Sequence, residues 1–280
     1  MIINVLIATI DAGIGKVEEI LLEPRTGVRY IVSHQVTDQQ FRNVPGALKR
    51  SDVVVGQIEG RGLSGNRNNA LKLADGDIAL LADDDVRYRP EHFMTLLEAF
   101  DADGSMDVAC FKIATPDGDF EYKDYAAKSY LLNDESHHYI SSLEIAFRLD
   151  AIKSRGIVFD PRFGAGSKPV CYGEEAVFIH DCIRAGLKVK YIPAYVAEHS
   201  AKSTIKNISE YATEKNIFKG AYDARRFGWL AFPAALFGVL RLWPALREEG
   251  KNPLQYLKER LRGAWYIYRY LSGVSGGRGC

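Results

Sequence analysis

The stretch Gly76-Asp-Ile-Ala-Leu-Leu-Ala-Asp-Asp-Asp-Val86 constrains the fold more than any other. It opens on a Gly-Asp turn, runs through the apolar block Ile78–Ala82 and stops on three consecutive acids. An unbroken apolar run of this length, bounded by turn residues, fits a strand buried on both faces of a parallel sheet. Side chains two apart on a strand share a face. Asp83 and Asp85 are therefore expected to set two carboxylates on one side of its carboxyl end, where open α/β sheets bind ligands. Two carboxylates that close repel each other unless a cation neutralises them. A hard divalent ion with positions left for phosphate oxygens does so, and Mg²⁺ or Mn²⁺ is the natural fit. Three acids alone are more often a solvated loop, so the surrounding pattern has to decide.

That pattern is βαβ. Ile2–Ala8, Val28–Val32 and Asp52–Gln57 read as strands, Val17–Leu22 as a helix, Gly62–Asp75 as a Gly/Ser loop leading into a helix with Ala70, Leu71 and Ala74 on its apolar side, and a third helix starts near Pro90. Strands alternating with helices over the first 100 residues predict an α/β fold with a mostly parallel sheet flanked by helices. Further on, Met106–Ala114, Tyr139–Phe147, Leu187–Ile192 and Tyr195–Glu198 read as strands, Gly173–Ala185 as a helix and Pro116–Asp124 as a polar loop. The expected organisation is a catalytic domain over 1–204, with a nucleotide-binding half (1–100) and an acceptor half (101–204). A helical extension over 205–272 and a disordered Gly/Ser-rich tail over 273–280 follow.

Charge separates the extension from the rest. The chain holds 36 Lys/Arg and 36 Asp/Glu, so no global field argues for nucleic acid. Yet 14 Lys/Arg against 6 Asp/Glu lie between Lys202 and Cys280, which points to a different partner for that segment. All three tryptophans, Trp229, Trp243 and Trp265, lie there too. Phe227–Leu271 is expected to pack partly on the catalytic domain and partly on a membrane. The competing expectation covers the same aromatics with a sheet edge or with a second copy in a homodimer. The four cysteines have no C-x-x-C spacing and read as reduced thiols. The apolar N-terminus lacks a basic leader and reads as a first strand, and no uninterrupted apolar run is long enough to span a bilayer. These features predict a cytoplasmic protein, peripheral on the inner membrane face.

Five pieces in order carry a family resemblance: Val5-Leu-Ile-Ala-Thr-Ile-Asp11, Gly62-Leu-Ser-Gly-Asn-Arg-Asn-Asn69, Gly76-Asp77 with Asp83-Asp84-Asp85, Phe163-Gly-Ala-Gly166 with Gly173-Glu-Glu175, and His199 followed by Ser203-Thr204. Over roughly residues 2–204 the chain resembles the family 2 glycosyltransferases of GT-A fold. The resemblance implies an inverting transfer of a sugar from a nucleotide-sugar donor, with UDP as the default nucleotide. The acceptor would be a hydroxyl of a glycan or lipid-linked glycan, as in surface polysaccharide synthesis. It implies Ala8, Thr9, Asp11, Gln35, Arg67, Asp83 and Asp84 on the donor and Asp85, Asp83 and His199 around the metal. Glu175 is then the general base, and Glu174 orients acceptor or loop.

The chemistry of these residue types agrees. A departing nucleoside diphosphate needs its charge neutralised, which a bridging divalent ion supplies. A histidine ligand shifts the preference towards Mn²⁺. Arg67, in a loop entering a helix, is expected to add a fixed cation to the diphosphate. An acceptor hydroxyl is a poor nucleophile unless a carboxylate takes its proton. The family usually carries Asp where this chain has Glu175, which leaves the choice between the two glutamates open. It also usually ends its second strand on acids, where this chain has Ser33-His-Gln35 as substitute hydrogen-bonding groups. His137-His138 point apart if on a strand and read as structural.

Two other readings compete. A polyprenyl-phosphate acceptor is already anionic and needs no base. A non-catalytic sugar- or Ca²⁺-binding module would need more oxygen ligands than are seen here, and the alternating acids of a calcium loop are absent. A dinucleotide dehydrogenase is disfavoured because Gly13-Ile-Gly15 lacks the third glycine of that fingerprint.

Overall fold

The computed structural model describes residues 1–116, 121–133, 139–200 and 212–271. His137, His138, Ser203, Thr204 and the 272–280 tail lie outside the described residues. The chain divides into two compact units. The first comprises Met1–Asp160 with Glu174–Lys202, the second Pro161–Gly173 with Ser203–Cys280.

The first unit is built on one sheet. Its strands are β1 (Ile3–Ile10), β2 (Val28–Val36), β3 (Val53–Glu59), β4 (Ile78–Asp83), β5 (Val108–Ala114), β6 (Tyr130–Leu131), β7 (Ile145–Arg148) and β8 (Val189–Glu198). The order across the sheet is β3-β2-β1-β4-β7-β5-β8-β6. The first four strands are parallel, β7 runs antiparallel to both β4 and β5, and β8 returns parallel to β5. The expected α/β class is what forms, because the apolar runs of β1, β2 and β4 have faces on both sides to bury. Every residue from Ile78 to Ala82 is buried.

The helices of this unit are α1 (Leu63–Leu73), α2 (Pro90–Ala102), α3 (Leu149–Lys153) and α4 (Glu174–Arg184). Local sequence sets several of their ends. Pro90 pre-sets the first turn of α2. Gly173, at φ +86°, takes a left-handed conformation immediately before α4 that a side chain would resist.

Three elements differ from expectation. The Val17–Leu22 helix is a 3₁₀ segment over Asp11–Glu19. The Tyr139–Phe147 strand shortens to β7, preceded by a 3₁₀ turn at Ser142–Glu144 whose Ser141 N–H is capped by Glu144. The two expected strands Leu187–Ile192 and Tyr195–Glu198 are one strand, β8, whose register against β5 slips between Cys110 and Lys112. Pro193 lies at that slip and has no N–H to give the ladder, so the strand bulges instead of stopping.

The second unit contains α5 (Thr213–Phe227), α6 (Ala231–Glu248) and α7 (Pro253–Leu271). α5, which falls within the expected helical extension, packs on α7 through two glycines. A Cβ on Gly220 would run into the Arg260 carbonyl, and one on Gly263 into the Ile217 carbonyl. Glu259, buried at this contact, accepts from Thr213 Oγ1 (2.8 Å), Asn216 Nδ2 (2.7 Å) and Gln255 Nε2 (2.8 Å). α6 lies on α7 through Val239, Leu246 and Tyr256.

Candidate active site

The chain leaves β1 for β2 and β3 on one side and returns to β4 on the other. The carboxyl ends of β1 and β4 therefore flank the crevice where such sheets bind ligands. Ala8 pairs with Asp83 in register at its floor. Strand geometry ends at Asp83, and the next two acids turn away from it. Asp83 and Asp85 consequently do not share a strand face, because the alternation stops where the strand does. Each of the three acids takes a different partner. Asp83 Oδ1 accepts from Arg67 at 3.0 Å, Asp84 Oδ2 from Thr9 Oγ1 at 2.6 Å, and Asp85 Oδ1 lies 3.2 Å from His199 Nε2.

The meeting of Asp85 with His199 is made by the backbone. Arg87 and Glu198 exchange both N–H···O bonds, at 2.8 and 2.9 Å, stitching the segment after the acids to the end of β8. The His199 N–H donates to Ala114 O at 2.9 Å. The His199 hydrogen bond holds the Asp85 carboxyl below its ordinary range, and Asp85 in turn raises the imidazole. Burial pushes the Asp84 carboxyl up against the Thr9 hydrogen bond. Gly13 is required beside this pair, since a Cβ there would overlap both Asp84 Oδ2 and Thr9 Oγ1.

α1 organises the remainder. Four consecutive residues, about 100° apart around the helix, reach four directions. Asn66 Nδ2 donates to Thr9 O (2.8 Å) on β1 and Asn69 Nδ2 to Ser33 Oγ (2.8 Å) on β2. Asn68 exchanges two 2.8 Å bonds with the Phe159 backbone. Arg67 points between β4 and α4, with Nη1 2.6 Å from Glu174 Oε1 and Nη2 on Asp83. The expectation that Arg67 offers a cation to a diphosphate is revised accordingly. Its guanidinium is buried and both Nη atoms are held by carboxylates.

An exposed cation near the acids is Lys16, on the 3₁₀ segment, whose charge opposes the burial that raises Asp84 and adds to the lowering of Asp85. Sequence inspection passed over it because a single lysine in a short helix carries no motif.

Glu174 and Glu175, in the first turn of α4, are both buried yet differently placed. Glu174 has its counter-ion in Arg67. Burial raises the Glu175 carboxyl well above the ordinary glutamate range, and the neighbouring Glu174 charge adds to this. Glu174 thus carries the ion pair with Arg67, and Glu175 the raised carboxyl.

The end of β2 serves architecture. His34 donates from Nε2 to Asp11 O (3.0 Å), which leaves Nδ1 to accept from Gln57 Nε2 (3.2 Å). The tautomer follows from these partners. Gln35 Oε1 accepts from Gly62 N at 3.2 Å. Asp11, in the left-handed region at φ +49°, accepts from Thr37 N (2.8 Å) and Oγ1 (2.7 Å). These groups brace the loops around the crevice. Ser33 Oγ, both His34 ring nitrogens and Gln35 Oε1 are engaged within the protein.

A cavity of about 280 Å³ lies by β5 and β8, lined in part by Lys123, Tyr125, Tyr130, Tyr139, Glu144 and Tyr191. Glu144 is buried there and accepts from Lys123 Nζ and Tyr125 Oη, both at 2.7 Å. Nothing in the linear spacing of these residues announced the cluster.

Among the described residues no three His, Cys, Asp or Glu side chains form a ready metal cage. Asp85 and His199 nevertheless make a two-ligand set, one hard oxygen and one imidazole nitrogen. Such a set fits a divalent ion whose remaining positions go to diphosphate oxygens. Asp83 is committed to Arg67 and stands outside that pair.

Residues 49–158 match the family model described as Glycosyl transferase family 2. The structure is similar to that of S. aureus TarS at 19% identity and a TM-score of 0.53, covering 82% of this chain and 44% of that one. The chain thus spans less than half of that protein's length. It is also similar to S. aureus TarS 1-349 in complex with UDP (17% identity, TM-score 0.57, 98% and 92% of the two chains). A third similar structure is the mannosyltransferase PcManGT from Pyrobaculum calidifontis in complex with GDP-Man and Mn²⁺ (14%, 0.51, 99% and 76%). No curated protein matches the chain. The fold is that of these GT-A structures, and the family model matches 110 of the chain's 280 residues.

Proposed function

We propose that this chain transfers a sugar, with inversion, from a nucleoside diphosphate sugar to a hydroxyl of a glycan or lipid-linked glycan, with a uridine nucleotide the first choice. The observation that carries the proposal is the division of labour among the acids. Arg67 neutralises Asp83 and Glu174, while the Asp85–His199 pair and Glu175 are left for a ligand and a proton.

Asp85 and His199 would hold a divalent ion, Mn²⁺ or Mg²⁺. When bound, it supplies charge neutralisation to the leaving diphosphate. Lys16 adds an exposed cation on the same side. Thr9 fixes Asp84, and Asp83 keeps Arg67 in place under the crevice floor. Glu175 takes the acceptor proton. Its raised affinity for a proton makes it the stronger base of the glutamate pair, once ionised. Glu174, locked to Arg67, sets the charge that Glu175 feels. The resemblance to the UDP and GDP-Man complexes supports a nucleotide-sugar donor.

The test is a panel of UDP-, GDP-, dTDP- and CDP-sugars assayed for hydrolysis and transfer with and without Mn²⁺. Metal-dependent turnover of one donor, lost in Asp85→Ala, is the expected result. No stabilisation of the fold by any donor and no turnover would refute the proposal. If Glu175→Gln leaves transfer intact, an acceptor that is already anionic replaces the hydroxyl.

A further inference from the structure

The helical unit carries a surface that its own packing does not explain. In α6 the buried residues Ala231, Ala235, Val239 and Leu246 recur at helical spacing, as expected for the face against α7. The opposite face is apolar as well. Phe237 is 71% exposed and Leu240 59%, Leu236 lies beside them, and Trp229, just before the helix, is 65% exposed. Arg241 is the sole charged residue from Ala231 to Ala245. A helix apolar on both sides belongs inside a core or against a non-aqueous phase.

α7 supplies the second half of the surface. Lys258, Arg262 and Trp265, spaced four and three residues apart, are all exposed on one side of it. Trp265 reaches α6, its ring centroid 6.3 Å from that of Phe232. The apolar strip of α6 and the basic strip of α7 are therefore joined through the indole. Residues 227–271 hold seven Lys/Arg against three Asp/Glu. A plane of Phe and Leu edged by Trp, Lys and Arg matches the boundary of an anionic bilayer, acyl chains beside negative headgroups.

We propose that this face docks in the plane of an anionic lipid bilayer, with Phe237 and Leu240 in the headgroup–acyl boundary and Lys258 and Arg262 on the headgroups. By length and composition alone, Thr213–Glu248 would suffice to cross a membrane. Crossing is disfavoured because α6 is packed along α7, which would bring the buried Glu259 cluster and the Arg260–Asp223 ion pair into hydrocarbon. This inference does not depend on the donor or acceptor assigned above.

The experiment is co-sedimentation of the full chain with phosphatidylcholine vesicles, with and without about one-third phosphatidylglycerol. We expect pelleting on anionic vesicles that weakens with salt. Lys258→Glu with Arg262→Glu should weaken it at least about thirtyfold, from about 1 kcal/mol for each of two basic residues. Phe237→Glu with Leu240→Glu should abolish it, while both double variants keep the parent's melting temperature because all four side chains are exposed. Absence of pelleting on anionic vesicles would overturn the proposal. So would pelleting that resists alkaline carbonate, which means insertion, or an apolar-face variant whose only effect is to turn a dimer into a monomer.

Discussion

Replacing Arg67 by Met separates two roles for the same cation. If it faces a diphosphate, its loss raises the donor KM and spares the fold. If it is the internal counter-ion of Glu174 and Asp83, its loss strands two carboxylates. Geometry gives the magnitude. The Arg67 and Glu174 side chains are 3% and 6% exposed and 2.6 Å apart, so the stranded Glu174 charge has almost no water to turn to. Asp83, 35% exposed and 3.0 Å away, is better solvated and adds less. Removing one partner of a buried pair costs about 3–5 kcal/mol, and most of that falls on Glu174. For a chain of this size the melting temperature should drop by roughly 6–20 °C. The assay is thermal and urea unfolding of R67M, E174Q and the double variant. In a double-mutant cycle, neutralising Glu174 should recover more than half of the R67M loss. A melting temperature for R67M within a degree or two of the parent, together with a raised donor KM, would refute the counter-ion role. Lys16→Ala is the companion measurement. It should leave melting unchanged and raise the donor KM several-fold.

Glu175→Gln should lower kcat by about 10²–10⁴, the usual worth of a positioned base. Because burial raises the Glu175 carboxyl, parent activity should climb with pH through that elevated range, read from a pH–rate profile. The same shift fixes the sign for stability. A carboxyl whose folded value is raised contributes fully below its unfolded value and loses that contribution as pH rises through the folded one. E175Q should therefore gain melting temperature over the parent as pH rises above the ordinary glutamate range. Asp85→Asn and His199→Ala should each remove Mn²⁺-dependent stabilisation by a donor in thermal-shift measurements, leaving the apo melting temperature within a few degrees. Gly263→Ala, whose Cβ meets backbone on α5, should destabilise the helical unit by at least about 1–3 kcal/mol in urea unfolding.

Linear order alone determined the apolar strands, the alternation with helices and the positions of the acids. All of these are local consequences of which residues must leave water and which cannot. The parallel half of the sheet was legible because Ile3–Ile10, Val28–Val36 and Ile78–Asp83 carry unbroken apolar runs whose burial has one simple solution. Which acid meets which partner was not legible. That depends on where β4 ends, on the Arg87–Glu198 bridge that brings β8 beside the acids, and on α1 presenting Asn66, Arg67, Asn68 and Asn69 to four neighbours. Arg67 looked like a ligand-facing cation because charge is expected in water, and only the packed structure surrounds it with carboxylates that make burial tolerable. The apolar outer face of α6 is the converse case. Its composition was visible from the start, but which side of the helix stays exposed was decided by the glycine-paired contact of α5 with α7 and by the stripe that α6 lays against α7.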